Sequence, residues 1–390
     1  MSKSWVNSRV QSLQPSGIRK FFDIVAQMQD VVSLGVGEPD FPTPWHVREE
    51  GIYVLEKGMT TYTSNAGLLE LRREVSRFLA EQYGLEYRAE DQILITIGAS
   101  EAIDLAMRTV LEPGDEVLIP EPSFVSYAPC AILAGGVPVA VTTTEETEFR
   151  LTPDALEKAI TEKAKVLVLP YPNNPTGAIL ERSDLEALAK VICKHDLLVV
   201  SDEIYSELTY GTKHVSIASL PGMAQRTIVI NGFSKAFSMT GWRLGYAAGD
   251  SEIIAGMTKV HQFTIMCSPT VSQYAAFEAL RNGMESVKKM RNEYDLRRRF
   301  VVHGFRQMGL ECFEPKGAFY VFPSIKSLGL SSEEFCSRLL QEEKVAVVPG
   351  TAFGSCGEGY IRCSYAYSLS NLEKALTRIG RFVKRMRQQS

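Results

Sequence analysis

Thr227–Ala248 reads TIVINGFSKAFSMTGWRLGYAA. Two short apolar runs, TIVI and LGYAA, bracket a segment holding one lysine, Lys235, and an arginine, Arg243, eight residues further on. The runs have the make-up of strands buried on both faces. A lysine at the mouth of such a strand costs free energy when desolvated and is rarely buried without a partner. Either Lys235 reaches solvent from a loop, or it is held there for its amine chemistry.

Runs of the same kind recur at Gln92–Ile97, Glu116–Pro120, Val137–Val141, Lys165–Pro170 and Leu197–Ser201, before Thr227–Asn231 and Leu244–Ala248. Helical spacing of apolar residues lies between several of them, most clearly over Ser100–Leu111 and Ser183–His195. Ser183 followed by Glu186 fits a capping box. Strand–helix alternation predicts an α/β fold: a mostly parallel sheet of about seven strands sandwiched by helices. Beyond residue 285 the texture changes. A charged helical pattern, Glu285–Met308, leads into Gly317–Pro323, Val345–Pro349 and Tyr360–Tyr365, which reads as a smaller α+β domain. The chain start reads as an arm, broken at Pro15-Ser16-Gly17. The expected division is therefore residues 1–44 as arm and part of the small domain, 45–285 as the large domain, and 286–390 as the small C-terminal domain.

Composition sets outer bounds. With 390 residues, 45% hydrophobic and 23% charged, the chain has an ordinary globular make-up and room for two domains. Net charge is −4 and the charges are mixed, so no nucleic-acid partner is expected. The densest basic run, Lys384–Arg387, reads as a solvated last helical turn. Met1–Val10 lacks the apolar stretch of a secretory signal, and no run approaches the roughly 20 apolar residues of a membrane span. Seven cysteines lie scattered without a CxxC pair, and five histidines lie far apart. These features predict a reduced, cytoplasmic protein with no disulfide framework and no metal site.

Ligands of open α/β sheets gather at the carboxyl ends of the strands. The first run ends in Gly98-Ala99-Ser100, where a glycine permits a tight turn and Ser100 can cap a following helix. The helix start there favours an anion such as phosphate, although capping alone needs the same residues. The fourth run ends in Tyr171-Pro172-Asn173-Asn174-Pro175-Thr176-Gly177, which is also ordinary turn composition. The fifth ends in Ser201-Asp202-Glu203-Ile204-Tyr205, where the acid could equally be a cap. The sixth ends at Lys235. Together these ends offer an anion site, an amide, a carboxylate, a phenol and an amine. Pyridoxal phosphate needs all of them: an amine for its aldehyde, a carboxylate for its ring nitrogen, donors for its phenolic oxygen, and an anion cradle.

The residues carry a resemblance at this point. GEPDFPTP from Gly37, YTSNAGLLELR from Tyr62, GAS from Gly98, EPSFVSY from Glu121, PNNPTG from Pro172, SDEIY from Ser201, SKAFSMTGWRLG from Ser234 and YIRCSYA from Tyr360 occur in one order along nearly the whole chain. In this the chain resembles the class I/II pyridoxal-phosphate aminotransferases of the aspartate aminotransferase fold. The resemblance implies roles residue by residue. Lys235 forms the Schiff base and moves the proton; Asp202 keeps the ring nitrogen protonated. Tyr205 and Asn174 donate to the phenolic oxygen, and Phe124 stacks on the ring. Gly98, Ala99, Ser100, Ser234 and Arg243 hold the phosphate. Arg362 clamps the substrate α-carboxylate, with Gly37 offering its backbone and Asn174 beside it. Tyr62 matches a tyrosine that reaches the phosphate of the neighbouring subunit, which implies a homodimer with a shared active site; a core aromatic is the alternative.

The implied reaction passes the amino group of an L-amino acid to a 2-oxo acid such as 2-oxoglutarate or pyruvate in two ping-pong halves. Some relatives that prefer acidic substrates carry a lysine at the place of Ser100, which weakens an aspartate-only reading. The wording of the sequence is most similar to bacterial alanine-type and broad-range enzymes, so alanine is the expected donor, with aspartate, aromatic and acylated diaminopimelate donors close behind. Pro15–Ile18 is expected to border the pocket, and Phe21 and Phe22 to be packed on the arm. Carbon–sulfur β-lyases and aminocyclopropane-carboxylate synthases share the lysine, aspartate and arginine and form the alternative within the fold. A cofactor-sensing module of a transcription regulator is the alternative outside catalysis. Such regulators carry a winged helix ahead of the module, and here about 30 residues precede the first motif without a basic recognition helix.

Overall fold

The computed structural model describes residues 5–14 and 28–389. The expectations at Pro15–Ile18, Phe21 and Phe22 lie outside the described residues. After β1 (Val32–Ser33), the main sheet is built from β2 (Ile93–Thr96), β3 (Glu116–Glu121), β4 (Val137–Thr142), β5 (Ala164–Leu169), β6 (Leu198–Asp202), β7 (Thr227–Gly232) and β8 (Gly245–Ala248). Its seven strands run in the order β2-β8-β7-β6-β5-β3-β4. β8 is antiparallel to both neighbours, while β7, β6, β5, β3 and β4 pair in parallel. Every predicted apolar run thus became a strand, within a residue or two at each end.

Burial explains the make-up of these strands. β2, β7 and β8 are buried along their whole length, because helices cover both faces of the sheet. β4 is the exception: it closes one edge, and Val137 is exposed. The Gly98–Val110 helix buries Ala102, Ile103, Leu105, Ala106 and Met107 in one core layer with Ile228, Ile230 and Ala247. Each large apolar side chain so buried contributes about 1.5–3 kcal/mol.

The second region holds β9 (Tyr320–Val321), β10 (Val345–Ala346), β11 (Val348–Pro349) and β12 (Ile361–Ser364). β11, β12 and β9 form an antiparallel sheet, and β10 pairs in parallel with β1 through Val32↔Val345. Val32 and Leu34 join a core otherwise built mainly from residues 290–386, against the Met284–Gln307 and Leu369–Gln389 helices.

Three local expectations are corrected. The helix predicted from Ser183 starts at Arg182, and its cap is Glu181, whose N–H donates to the Asp184 carboxylate at 2.9 Å. Glu181 has the extended backbone a cap needs, whereas Ser183 already lies in the first turn. Ser100 likewise sits inside its helix, which is capped at Ile97; the Glu101 carboxylate accepts from the Ile97 N–H. The C-terminal basic run is not merely solvated: Arg385 pairs with Glu343 and Glu342, and Arg387 donates to the Gly309 carbonyl. Among the described residues no helix is long and apolar enough to cross a membrane.

Candidate active site

The carboxyl ends of β2, β5, β6 and β7 open onto one cavity of about 520 Å³, closed on its other side by Gly35–Glu38, Tyr320 and Arg362. A larger groove of about 850 Å³ lies elsewhere, between Glu145 and Arg306, where Glu314 pairs with both Arg298 and Arg306.

Lys235 enters the cavity three residues past β7 and is partly buried. Its Nζ donates to the Gly37 carbonyl at 2.6 Å. Burial is the main force lowering its pKa, to about 8; Glu38 opposes the shift, and Arg362 and Arg243 add to it. An amine in this range is available unprotonated near neutral pH.

Asp202 closes β6, and its buried carboxylate accepts from the Tyr127 hydroxyl at 2.7 Å and from the Ile204 N–H at 3.2 Å. Burial raises its pKa, and the Tyr127 bond works against that rise. A cation placed against Asp202 would offset the burial. Tyr205 follows one turn later, its hydroxyl 2.8 Å from that of Tyr320. Burial holds the Tyr205 phenol well above its ordinary pKa, so it is a neutral donor.

Arg362 comes from β12 on the far side of the cavity. Its Nη1 donates to the Asn174 side-chain oxygen at 2.9 Å and its Nη2 to the Gly35 carbonyl. The guanidinium lies over the rings of Tyr320 and Phe353, 4.5 and 4.8 Å from their centroids. Its Nε is buried without a partner. Arginine only donates, so Asn174 must present its oxygen to Arg362, which leaves its amide nitrogen as the group to donate into the cavity.

At the other end, Gly98 turns the chain at φ +74°, and Ala99 and Ser100 begin the helix. A Cβ on Gly98 would lie 2.7 Å from Arg243 Nη2. One on Gly245 would lie 2.7 Å from the Ala99 nitrogen, so this glycine lets β8 cross directly behind the turn. Ser234 and Arg243 line the same end of the cavity. Amide N–H groups, hydroxyls and a guanidinium around a helix start make an anion cradle. Phe124 forms a side wall, edge-on to Tyr127 at 5.7 Å.

The structure therefore brings together Gly37, Gly98, Ala99, Ser100, Phe124, Asn174, Asp202, Tyr205, Ser234, Lys235, Arg243 and Arg362. It does not bring Tyr62 to them. Tyr62 is 80% exposed and lines a separate shallow pocket with Thr270 and Tyr274, so the core-aromatic alternative is overturned. Tyr127, Tyr320 and Glu38 also line the cavity, and the sequence alone does not single them out. Tyr127 stands three residues after Phe124, at the start of the Tyr127–Ala134 helix, and only the packing of that helix brings it to Asp202. In the sequence Tyr320 is one residue of the apolar Gly317–Pro323 run, with nothing to mark it as part of a site. The donor set fits pyridoxal phosphate: an amine, a carboxylate, neutral phenol and amide donors, an aromatic wall and an anion cradle share one cavity. Among the described residues no group of metal-binding side chains competes with this reading.

Comparison with known proteins agrees. The family profile described as aminotransferase class I and II matches residues 29–379. The chain is 53% identical to the putative aminotransferase YugH of Bacillus subtilis, over 97% of this chain and 98% of that protein. It is 50% identical to an aspartate aminotransferase of Pyrococcus abyssi, again over 97% and 98%. The crystal structure of an aromatic aminotransferase from Pyrococcus horikoshii superposes with a TM-score of 0.91 at 47% identity, covering 95% of this chain and 100% of that one.

Proposed function

The chain belongs to the class I and II aminotransferases, enzymes that use pyridoxal phosphate and act on amino and 2-oxo acids, and from that premise we propose the roles of its residues and its substrate preference. Bound cofactor supplies an aldehyde that takes the amino group and a conjugated ring that accepts the electron pair released at the substrate Cα. Lys235 Nζ offers the amine and takes the proton from Cα. Asp202 holds a proton on the ring nitrogen, and Tyr205 and Asn174 donate to the phenolic oxygen. Phe124 packs on the ring. Gly98, Ala99, Ser100, Ser234 and Arg243 hold the phosphate. Arg362 binds the α-carboxylate as a planar fork, with Gly37 beside it.

The observation that carries the substrate reading is the count of cations. Among the described residues the cavity presents Lys235, Arg243 and Arg362. With the amine, the phosphate and the α-carboxylate assigned, none of these three remains for a second carboxylate, and Ser100 stands where some relatives that prefer acidic substrates carry lysine. A donor with a neutral side chain fits this site, with alanine first and aromatic amino acids next and pyruvate as the matching acceptor; 2-oxoglutarate, the other expected acceptor, needs a cation beyond these three, which a partner subunit would have to supply. The relatives' names favour aspartate or aromatic substrates rather than alanine, so aspartate is the competing donor. Exposed Tyr62 supports a homodimer in which it reaches the partner's cradle. The division at residues 44 and 285 is supported by the core that Val32 and Leu34 share mainly with residues 290–386. Seven free thiols fit a reducing, cytoplasmic setting.

The test is an absorbance screen of the first half-reaction. Loaded protein is mixed in turn with alanine, phenylalanine, tyrosine, aspartate, glutamate and a diaminopimelate derivative, and loss of the visible cofactor band is timed. Alanine or an aromatic donor converting at least tenfold faster than aspartate supports the reading. Aspartate converting fastest sinks it.

A further inference from the structure

Tyr320 joins two parts of the cavity that come from distant segments. Its hydroxyl lies 2.8 Å from that of Tyr205. Its ring lies under the Arg362 guanidinium at 4.5 Å. A Cβ on Gly37 would fall 2.2 Å from the same hydroxyl, so Tyr320 is also pressed against the residue whose carbonyl holds Lys235 Nζ. The side chain is 1% exposed and lines the cavity.

Each phenol donates one proton. If Tyr205 turns its proton to an acceptor in the cavity, the bond between the two hydroxyls can be made only by Tyr320 donating to Tyr205. Among the described residues the Tyr320 hydroxyl has no other partner. A hydroxyl that accepts one bond donates a stronger one.

We propose that Tyr320 is a positioning residue with two separable parts: its hydroxyl donates to Tyr205 and so fixes Tyr205 as a donor to the cofactor's phenolic oxygen, and its ring holds Arg362 flat for the substrate carboxylate. This rests on the placement of Tyr205 given above. A donor on the phenolic oxygen disperses the negative charge that otherwise retains a proton at the Lys235 nitrogen. Weakening that donor keeps the proton bound to higher pH. The charged groups facing Lys235 are Glu38, Arg362, Arg243 and Asp202, and Tyr320→Phe removes none of them.

The experiment is a pH titration of the visible absorbance of loaded protein, with kinetics on the same samples. Tyr320→Phe keeps the ring and loses the hydroxyl. Its titration midpoint is expected to rise by about half to one pH unit, with KM for the amino donor within about twofold of wild type. Tyr320→Leu loses both parts and is expected to add a rise in KM of about tenfold. Tyr205→Phe serves as the control. A shift in Tyr205→Phe with none in Tyr320→Phe overturns the proposal alone. No shift in either overturns the placement of Tyr205, and the proposal with it. A lowered thermal midpoint in Tyr320→Phe without a moved titration reduces the hydroxyl to a structural role and also overturns the proposal.

Discussion

Arg362 Nη1 and Asn174 Oδ1 lie 2.9 Å apart, although 188 residues separate them in sequence. The bond ties β12 to the loop after β5, and it orients two functional groups at once. It holds the guanidinium in one plane and turns the Asn174 amide nitrogen toward the cavity. The proposed carboxylate clamp and the proposed phenolic-oxygen donor are thus set by one contact.

Replacing Arg362 with Lys tests the clamp. Lysine keeps the charge but loses the planar fork, the bond to Asn174 in its present geometry and the packing on Tyr320 and Phe353. We expect kcat/KM for both the amino and the 2-oxo acid to fall about 100-fold or more, roughly 3 kcal/mol of lost interaction. The cofactor titration should stay within a few tenths of a pH unit. A loss confined to one substrate would count against a shared α-carboxylate site.

Lys235 gives a pH test in the cofactor-free protein. Its pKa is about 8 against lysine's ordinary 10.5. Between these values the unfolded chain binds more protons than the folded one, so stability rises with pH across that window, and the full penalty is present below pH 8. The gap corresponds to at most about 3 kcal/mol. Lys235→Met should therefore melt at a higher temperature than wild type at pH 7, with the difference fading toward pH 10.5. Transamination should be lost entirely. A pH-independent difference in melting would show that Lys235 is not strained by burial.

Tyr127 is expected to support Asp202. Its bond stabilises the carboxylate form against the burial that favours the neutral acid. Tyr127→Phe should raise the pKa of Asp202 further, loosen the ring-nitrogen contact and slow amino transfer about tenfold, with a similar loss of cofactor affinity, since one bond to a charged group is worth about 1.5–3 kcal/mol. Equilibrium dialysis of the cofactor and single-turnover rates measure the two effects. Unchanged values in both would remove Tyr127 from the site.

Behind the site, fully buried Glu203 accepts from Ser201 at 2.9 Å and Ser216 at 2.6 Å, and bonds His214 at 2.9 Å. Glu203→Ala strands two buried hydroxyls and the partly buried His214 imidazole. It should cost about 3 kcal/mol or more of stability, read as an earlier urea transition, while Glu203→Gln, which keeps part of the bonding, should cost less. Equal losses from both variants would mean that the charge, not the bonding, matters there.

The order of strands and helices, and the strand ends that carry Asn174, Asp202 and Lys235, could be read from the sequence. These are local properties: apolar runs mark buried strands, and in a parallel sheet the residues after each strand must face one edge. Gly98 and Arg243 were legible for the same reason, as a turn glycine and a basic residue flanking a strand. What the sequence could not determine was partnership. Tyr127 meets Asp202 across 75 residues, and Tyr205 meets Tyr320 across 115. Neither pair follows from periodicity, because both depend on how elements far apart in the chain pack and which way each side chain then points. The same holds at the surface and at the caps. Tyr62 is exposed rather than a core aromatic, and Glu181 took the cap although side-chain preference favours Ser183, because tertiary packing set the extended backbone at Glu181.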